Sequence, residues 1–340
     1  MVAYITYLKK QPLAAAFILL CILFPFVTSN QYLVRVLTEV FFFAALGNAW
    51  NIIGGYGRQT SWASATFFSV GAYTGIILYT RYGEISPWIS VFIGMGLSVI
   101  LAIIIGKPCF RLRGVYFAIA TIACATIFRQ ALIYFEDFTG GSLGIAFKIR
   151  KEVSLWKLSF HSEIPFYFIA FIWMIITLLI VAYIERHRLG YYLRAICEDQ
   201  EAAESLGINS SVVKLQAFII SCMMMAFTGT LYVFKTGYAD PNTLASHDMS
   251  IRIGLVAILG GMGTVWGPTL GALITVPLLE LSNAYLQNFG GGAAGWAVYG
   301  LLIVIMVLYK PNGIIHIAED VRNYVRKKKF EGKRGENAAT

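Results

Sequence analysis

Along the chain, long apolar runs alternate with short polar connections, a pattern unlike the brief periodic segments of a water-soluble domain. A hydrocarbon core of about 30 Å needs about 20 helical residues to cross it. Runs of that order occupy 11–28, 32–54, 61–80, 86–106, 115–135, 164–184, 212–234 and 294–309. The stretch 251–284 is too long for one crossing and is interrupted by Gly260, Gly261, Gly263, Gly267 and Pro268. Lys9 and Lys10 precede the first run, and Arg326, Lys327, Lys328, Lys329, Lys333 and Arg334 follow the last. Positive charge is retained on the cytoplasmic side, so both termini are predicted there and the number of crossings must be even. The pattern therefore predicts an all-α polytopic membrane protein of about ten transmembrane helices. Eight are clear, and 251–284 supplies two short or broken spans.

The same parity places Lys107, Arg111 and Arg113, and also Arg186, Arg188 and Arg194, on the cytoplasmic side. It makes 136–163 the longest outer connection, despite Lys148, Arg150, Lys151 and Lys157. No linker composition divides the chain, which reads as one transmembrane domain over 1–325, with a cytoplasmic loop at 185–211 and a basic cytoplasmic tail at 326–340. The first run follows a basic segment but lacks a small-residue cleavage site, so it reads as a retained span.

Composition sharpens this picture. The 340 residues are 58% hydrophobic and only 13% charged, and the mean hydropathy of +0.68 excludes an ordinary soluble core. A formal charge of +9 could invite nucleic acid, but the basic residues fall in short clusters between apolar runs, where membrane topology accounts for them. The five cysteines are scattered without metal or redox spacing, and read as small buried hydrophobes. No G-x-x-x-x-G-K-[ST] loop is present, the four histidines have no metal-ligand spacing, and no catalytic triad can be assembled on one membrane side. A transport subunit without its own ATPase site, metal or cofactor is expected rather than an enzyme.

One polar segment stands out within 185–211: ICEDQEAAESLGINSSVVK, residues 196–214. Glu201, Ala202 and Ala203 favour a short helix, and Gly207 can end it in the left-handed conformation. Its acids would be repelled by an anionic leaflet, so the segment suits a protein partner better than a lipid surface. The pattern E-A-A-x-x-x-G in a late cytoplasmic loop resembles the coupling loop of ABC importer permeases. Three further segments narrow the resemblance: GGYGRQTSWASATFFSVGAYTG (54–75), RLRGVYFAIATIACATIFRQ (111–130) with FTGGSLGI (138–145), and ILGGMGTVWGPTLGALI (258–274). Together, over about 50–310, they resemble the LivM-type permease of branched-chain amino acid importers. The proline that ends the full coupling-loop consensus is absent after Gly207.

That resemblance implies a multi-pass subunit of a prokaryotic inner (cytoplasmic) membrane that forms a path for leucine, isoleucine and valine. It implies as partners a homologous LivH-like permease, two cytoplasmic ATPase subunits that use ATP and Mg, and an extracytoplasmic solute-binding protein. Related permeases serving urea, amides or other amino acids remain the alternative, as does an ion-coupled secondary transporter. Deep charges look sparse and a docking loop is present, both of which weigh against ion coupling.

Small and hydroxyl residues mark the candidate path: Gly57, Ser61, Ser64, Ser69 and Gly71 in one segment, and Gly260, Gly261 and Gly263 in the other. Such residues also serve close helix packing. The glycine breaks GGYG (54–57) and GGMG (260–263) form a pair of the kind that brackets transporter sites. Of the ionisable residues inside runs, Glu39 is expected to pair with Arg35 one turn earlier, Arg129 to snorkel, and Glu280 to be structural or functional. No salt-bridge clamp for a carboxylate or an ammonium is evident.

Overall fold

The computed structural model describes residues 12–28, 30–82, 85–112, 114–147 and 162–290, with parts of 154–160 and 297–314. Most of the run 294–309, the tail 326–340 and the lysines at 9 and 10 lie outside the described residues. In chain order the elements are α1 (Pro12–Val27), α2 (Gln31–Asn51) continued by a π-helical turn (Ile52–Tyr56), α3 (Ser64–Arg81), α4 (Pro87–Cys109) and α5 (Val115–Tyr134). They continue with the short α6 (Glu136–Thr139), β1 (Ile145–Ala146), α7 (Glu163–Arg186), α8 (Arg188–Glu198), α9 (Gln200–Ser205) and α10 (Ser210–Thr236). The last are β2 (Tyr238–Ala239), α11 (Pro241–Leu244), α12 (His247–Gly261) and α13 (Gly267–Gly290).

Among the described residues, five helical segments are long and apolar enough to cross a membrane: Gln31–Tyr56, Pro87–Cys109, Val115–Tyr134, Glu163–Arg186 and Ser210–Thr236. The chain is thus a mostly helical, multi-pass membrane protein. Three expected spans take a different form, the first being 11–28, which yields only the 16-residue α1. The run 61–80 leaves the helix at its start, because 57–63 is non-helical and α3 begins only at Ser64. The stretch 251–284 divides into α12 and α13 at 262–266, where Gly263 takes a positive φ of 71° and Pro268 begins the next helix in its first turn.

Helix directions follow from paired positions along their lengths. Helix α10 meets α2 in reverse order: Lys235 bonds Glu39, Phe42 packs on Tyr232, and Ser221 Oγ donates to the Ala49 carbonyl at 2.6 Å. With α3 it runs in the same direction, Phe67 meeting Phe218 and Tyr79 meeting Phe234. The 185–211 connection therefore lies at one end of the bundle, with the starts of α3 and α10. The loop after α5 and the segment after α10 lie at the opposite end.

Helix α2 is the central post: 89% of its most apolar window is buried, against α7, α10, α12 and α13. Lipid offers helices no hydrophobic drive to associate, so contact quality must hold them together. Here Phe41 packs between Tyr167 and Phe171, Trp173 stacks on Phe227, and the Trp173 indole donates to Thr228 Oγ1 at 2.8 Å. Helix α5 is the opposite case, with 17% of its window buried and Tyr116, Ile119 and Ile127 exposed. Its outer face suits lipid or a neighbouring subunit.

At the end away from 185–211, the FTGGSLGI motif is knitted to the segment after α10. Strands β1 and β2 pair antiparallel with Ile145 opposite Ala239, Tyr238 Oη donates to the Leu143 carbonyl at 2.8 Å, and Arg129 donates to Asn242 Oδ1 at 2.7 Å. Arg129 is thus held by a side-chain amide rather than snorkelling.

These positions supply a topological test. Leu143 and Leu206 are 85% and 83% exposed, at opposite ends of the bundle. Single cysteines at each, in a cysteine-free background, are expected to react with an impermeant maleimide from opposite sides of right-side-out vesicles, Leu206→Cys only after permeabilisation. Reaction of both from one side would overturn the arrangement.

Candidate translocation and coupling site

The polar segment 196–214, the candidate docking segment, is a built structure. Helix α9 starts at Asp199, whose carboxylate accepts from the backbone N–H groups of Glu201 and Ala202 at 2.9 and 3.0 Å, the side-chain cap that a helix start requires. It ends at Gly207, with φ of 87°, where the Gly207 N–H donates to the Glu204 carbonyl and the Ile208 N–H to the Ala203 carbonyl. This left-handed closure is the one the sequence anticipates, and a β-branched residue there would be strained. Ala203 faces inward and is buried, whereas Glu201, Ala202 and Gly207 are exposed.

The segment is pinned to α10 by polar contacts. Gln200 Nε2 donates to Glu204 Oε1 at 2.9 Å and to Ser210 Oγ at 3.0 Å, and the buried Lys214 donates to Gln200 Oε1 at 2.9 Å. Ser210 also donates to Glu204. Leu206, beside Gly207, projects a bare apolar side chain from this polar surface. Sequence reasoning passed it over because a leucine in an apolar-rich chain carries no signal until its exposure is known.

Helix α8 joins this segment to the first glycine break. The Arg194 guanidinium lies 5.6 Å from the centre of the Tyr56 ring in the π-helical turn and bonds Glu185 at 2.8 Å. Arg58, at φ of 43°, turns the chain out of the π-helical turn, and its charge reaches Cys197 of α8. Burial raises that thiol above its ordinary range, which the Arg58 guanidinium opposes.

The two glycine breaks meet. Asn51, the last residue of α2, donates from Nδ2 to the Thr264 carbonyl at 2.8 Å and accepts at Oδ1 from the Gly263 N–H at 2.8 Å. One amide thus satisfies both a donor and an acceptor that the break after α12 leaves without helical partners. Gly55 lies against the Gly263 N–H, so the GGYG and GGMG segments are in contact. Asn51 was also missed from sequence, although a second asparagine at position 48, deep in an apolar run, is the kind of signal that marks such a junction.

Of the eight candidate path residues, seven are buried and Gly263 is half-buried. Ser61, Ser64 and Ser69 are 2% exposed or less; the Ser61 carbonyl accepts from the Trp50 indole at 2.9 Å, and Ser69 Oγ donates to the Thr66 carbonyl at 2.8 Å. The Ser64 hydroxyl is buried and has no hydrogen-bond partner among the described residues. Gly71 touches the Ala226 carbonyl of α10, Gly260 touches the Gly267 carbonyl, and Gly57 lies against the Ile53 carbonyl. Gly261 is buried and Gly263 is half-buried at the junction.

The charged residues depart most from the sequence reading. Glu39 does not pair with Arg35 but bonds Lys235 of α10 at 2.6 Å, with the two side chains only 14% and 4% exposed. Around this pair, α2 contributes Arg35, α12 contributes Arg252 and α13 contributes Glu280, all lining one polar cavity. Buried charge is therefore concentrated near one end of the bundle. The sequence disguises this because Lys235 and Arg252 stand at the edges of apolar runs, where they read as span ends.

A multi-pass helical bundle with two apposed helix breaks and a polar docking segment braced against one of them has the build of a membrane transport subunit. The family model for the branched-chain amino acid transport system permease component matches residues 32–309, and the chain belongs to that family. LivM of Escherichia coli (strain K12), a high-affinity branched-chain amino acid transport system permease protein, is 27% identical over 333 residues, covering 90% of this chain and 75% of LivM. LivH of the same organism is 31% identical over 149 residues, 43% of this chain and 46% of LivH. BraD of Pseudomonas aeruginosa is 32% identical over 134 residues, 39% of this chain and 41% of BraD. No solved structure matches.

Backbone contact at Gly71 sets a sharp expectation. A methyl group there overlaps the Ala226 carbonyl, whereas one at Gly96 of α4 meets nothing within 4 Å. Gly71→Ala is expected to destabilise the protein by about 3 kcal/mol or more, and Gly96→Ala to shift it by under about 1 kcal/mol. Thermal unfolding of the detergent-solubilised protein distinguishes them. Equal melting temperatures would mean that α3 and α10 are not in backbone contact.

Proposed function

We propose that this chain is the LivM-like half of an ATP-driven importer of leucine, isoleucine and valine in a prokaryotic inner membrane. It works beside a LivH-like permease, two cytoplasmic ATPase subunits and an extracytoplasmic solute-binding protein. Family membership supports the solute class, and the similarity to both LivM and LivH supports a permease pair. The observation that carries the coupling mechanism is the bracing of the docking segment, through Arg194 on Tyr56, against the π-helical turn where the two helix breaks meet.

In this mechanism the ATPase grips the surface formed by Glu201, Ala202, Leu206 and Gly207. Closure of the ATPase dimer on ATP and Mg moves α8 and α9 as a unit, since α9 is bonded to α10 and α8 abuts the turn after α2. The movement bends the chain at 52–57 and 262–266, where the α-helical pattern is interrupted, and leaves the flanking helices intact. The small residues Gly57, Ser61, Ser64, Ser69, Gly71, Gly260, Gly261 and Gly263 then border the path as the interhelical contacts change. Their side chains add little steric barrier and no large charge.

The coupling surface is tested by Gly207→Val, which strains the left-handed closure, and Glu201→Lys, which reverses an exposed charge presented to the ATPase. Both variants are expected to insert and remain folded, yet to lose at least about 90% of uptake, equivalent to about 1.4 kcal/mol or more in the coupled step. Wild-type uptake in both would mean that this segment is only a solvated connection.

The solute is tested separately with the complete importer in vesicles. ATP-dependent uptake of leucine, isoleucine and valine is expected, with urea and acetamide excluded. Uptake of urea or acetamide without any of the three amino acids would overturn the assignment.

A further inference from the structure

Helices α4 and α5 follow one another in the chain yet leave a gap between them. They are joined near the docking end, where Phe110 stacks on Phe117 with ring centres 5.1 Å apart. On its other side α5 is tied to α11 and α12: Arg129 donates to Asn242 Oδ1 at 2.7 Å, and Thr126 Oγ1 stands 3.0 Å from His247 Nε2. An open groove of about 630 Å³ runs beside α3, α4 and α5, with α6 at its far end. Val70 and Ile77 of α3 and Leu132 of α5 are buried along it, whereas Ile93, Ile100 and Ile104 of α4 are exposed at its edge. The hydroxyls of Tyr73, Thr74 and Thr139 in its walls already donate to backbone carbonyls, at 3.5, 2.7 and 2.8 Å. The lining is therefore apolar.

The dimensions of the groove select what fills it. Along α3 it is lined from Val70 to Tyr82, about 18 Å at 1.5 Å per residue. Spread over that length, its volume corresponds to a cross-section of about 35 Å², whereas a helix about 10 Å across needs about 80 Å². A partner's helix cannot lie within it. An extended hydrocarbon chain can, and one that reaches half of a core of about 30 Å is about 15 Å long. The exposed edge of the groove faces the bilayer, and a narrow apolar gap left empty there forfeits dispersion contacts along every wall. The far end supplies a place for a headgroup. Helix α3 ends at Arg81, whose guanidinium lies 5.7 Å from the centre of the ring of Phe138, a wall residue. Tyr82 and Phe135 are exposed at the same end, as aromatic side chains are at a membrane–water interface. The planar guanidinium matches a phosphate. Glu136 and Asp137 precede Phe138 on α6, so the mouth carries negative as well as positive charge and fits a zwitterionic headgroup. We propose that the groove binds a zwitterionic phospholipid, one acyl chain lying along α3 between α4 and α5 and the phosphate at Arg81. The assignment does not depend on which solute the chain transports.

The test places the assembled importer in phosphatidylcholine vesicles that contain a trace of phosphatidylcholine with a photoreactive diazirine on one acyl chain. After illumination, adducts are located by peptide mass spectrometry. They are expected on Val70, Ile77 and Leu132, which line the groove, and not on Val181 of α7, which is equally buried but lies away from it. Arg81→Gln is expected to lower the yield on these three residues by about threefold, as for the loss of one exposed ion pair. Phosphatidylglycerol with the same diazirine chain is expected to label them no more strongly than phosphatidylcholine. The adduct map and the comparison of headgroups need no variant, so they stand even where Arg81→Gln fails to assemble. Absence of adducts along the groove, including their presence in the isolated subunit and loss in the assembled importer, would overturn the site and assign the groove to a neighbouring subunit's side chains. An unchanged yield in Arg81→Gln, or stronger labelling by phosphatidylglycerol, would equally overturn it.

Discussion

The side-chain amide of Asn51 holds together the part of the molecule on which the rest of the arrangement depends. A chain that leaves the helix within a membrane exposes backbone donors and acceptors where water cannot satisfy them, and each costs about 1–3 kcal/mol if left bare. Two such departures occur here, after α2 and after α12. Asn51 places its oxygen on the Gly263 N–H and its nitrogen on the Thr264 carbonyl, so one break supplies what the other lacks. The breaks are consequently a matched pair. The helices on either side can be short and still be anchored, as α12 is with its 15 residues.

Around this joint the bundle separates rigid contacts from adaptable ones. Helices α3 and α10 touch backbone to backbone, at Gly71 on Ala226 and at Gly229 on Phe68, and Thr230 Oγ1 donates to the Gly71 carbonyl at 2.9 Å. Such surfaces cannot slide by fractions of a turn without collision. Helix α5 has a largely exposed outer face and is tied to the far end through Arg129 and Asn242. Movement in this architecture is therefore a reorientation of blocks, with bending confined to the non-helical segments.

Much of this was legible in the sequence, for identifiable reasons. Apolar runs reported the long spans because a helix buried in lipid or in its neighbours must be apolar over its length. The left-handed closure at Gly207 was readable because few residues other than glycine take that conformation at ease. The division of 251–284 was readable because Gly263 and Pro268 both interrupt a helix. The partners across space were not. Nothing local in Glu39 announces Lys235, which is 196 residues away, and Arg35 lies closer in sequence on the same helix. The late start of α3 was hidden because 61–63, Ser-Trp-Ala, contains no glycine or proline to mark a break. The small residues from Ser61 to Gly71 conveyed close approach without revealing what approaches; the structure supplies Trp50, Thr66 and Ala226.

Helix α10 runs unbroken for 27 residues, with Lys214 bonded to the docking segment near one end and Lys235 bonded to Glu39 near the other. At 1.5 Å per residue, those lysines are about 30 Å apart on a single rod. Thermodynamic linkage then imposes a symmetry on this subunit. If a partner at the docking end distinguishes two positions of α10, the free energy of that preference reappears, with equal magnitude, in how the cavity beside Lys235 treats its contents. Information along the rod runs in both directions, so the far end of the bundle can inform such a partner as readily as it obeys it.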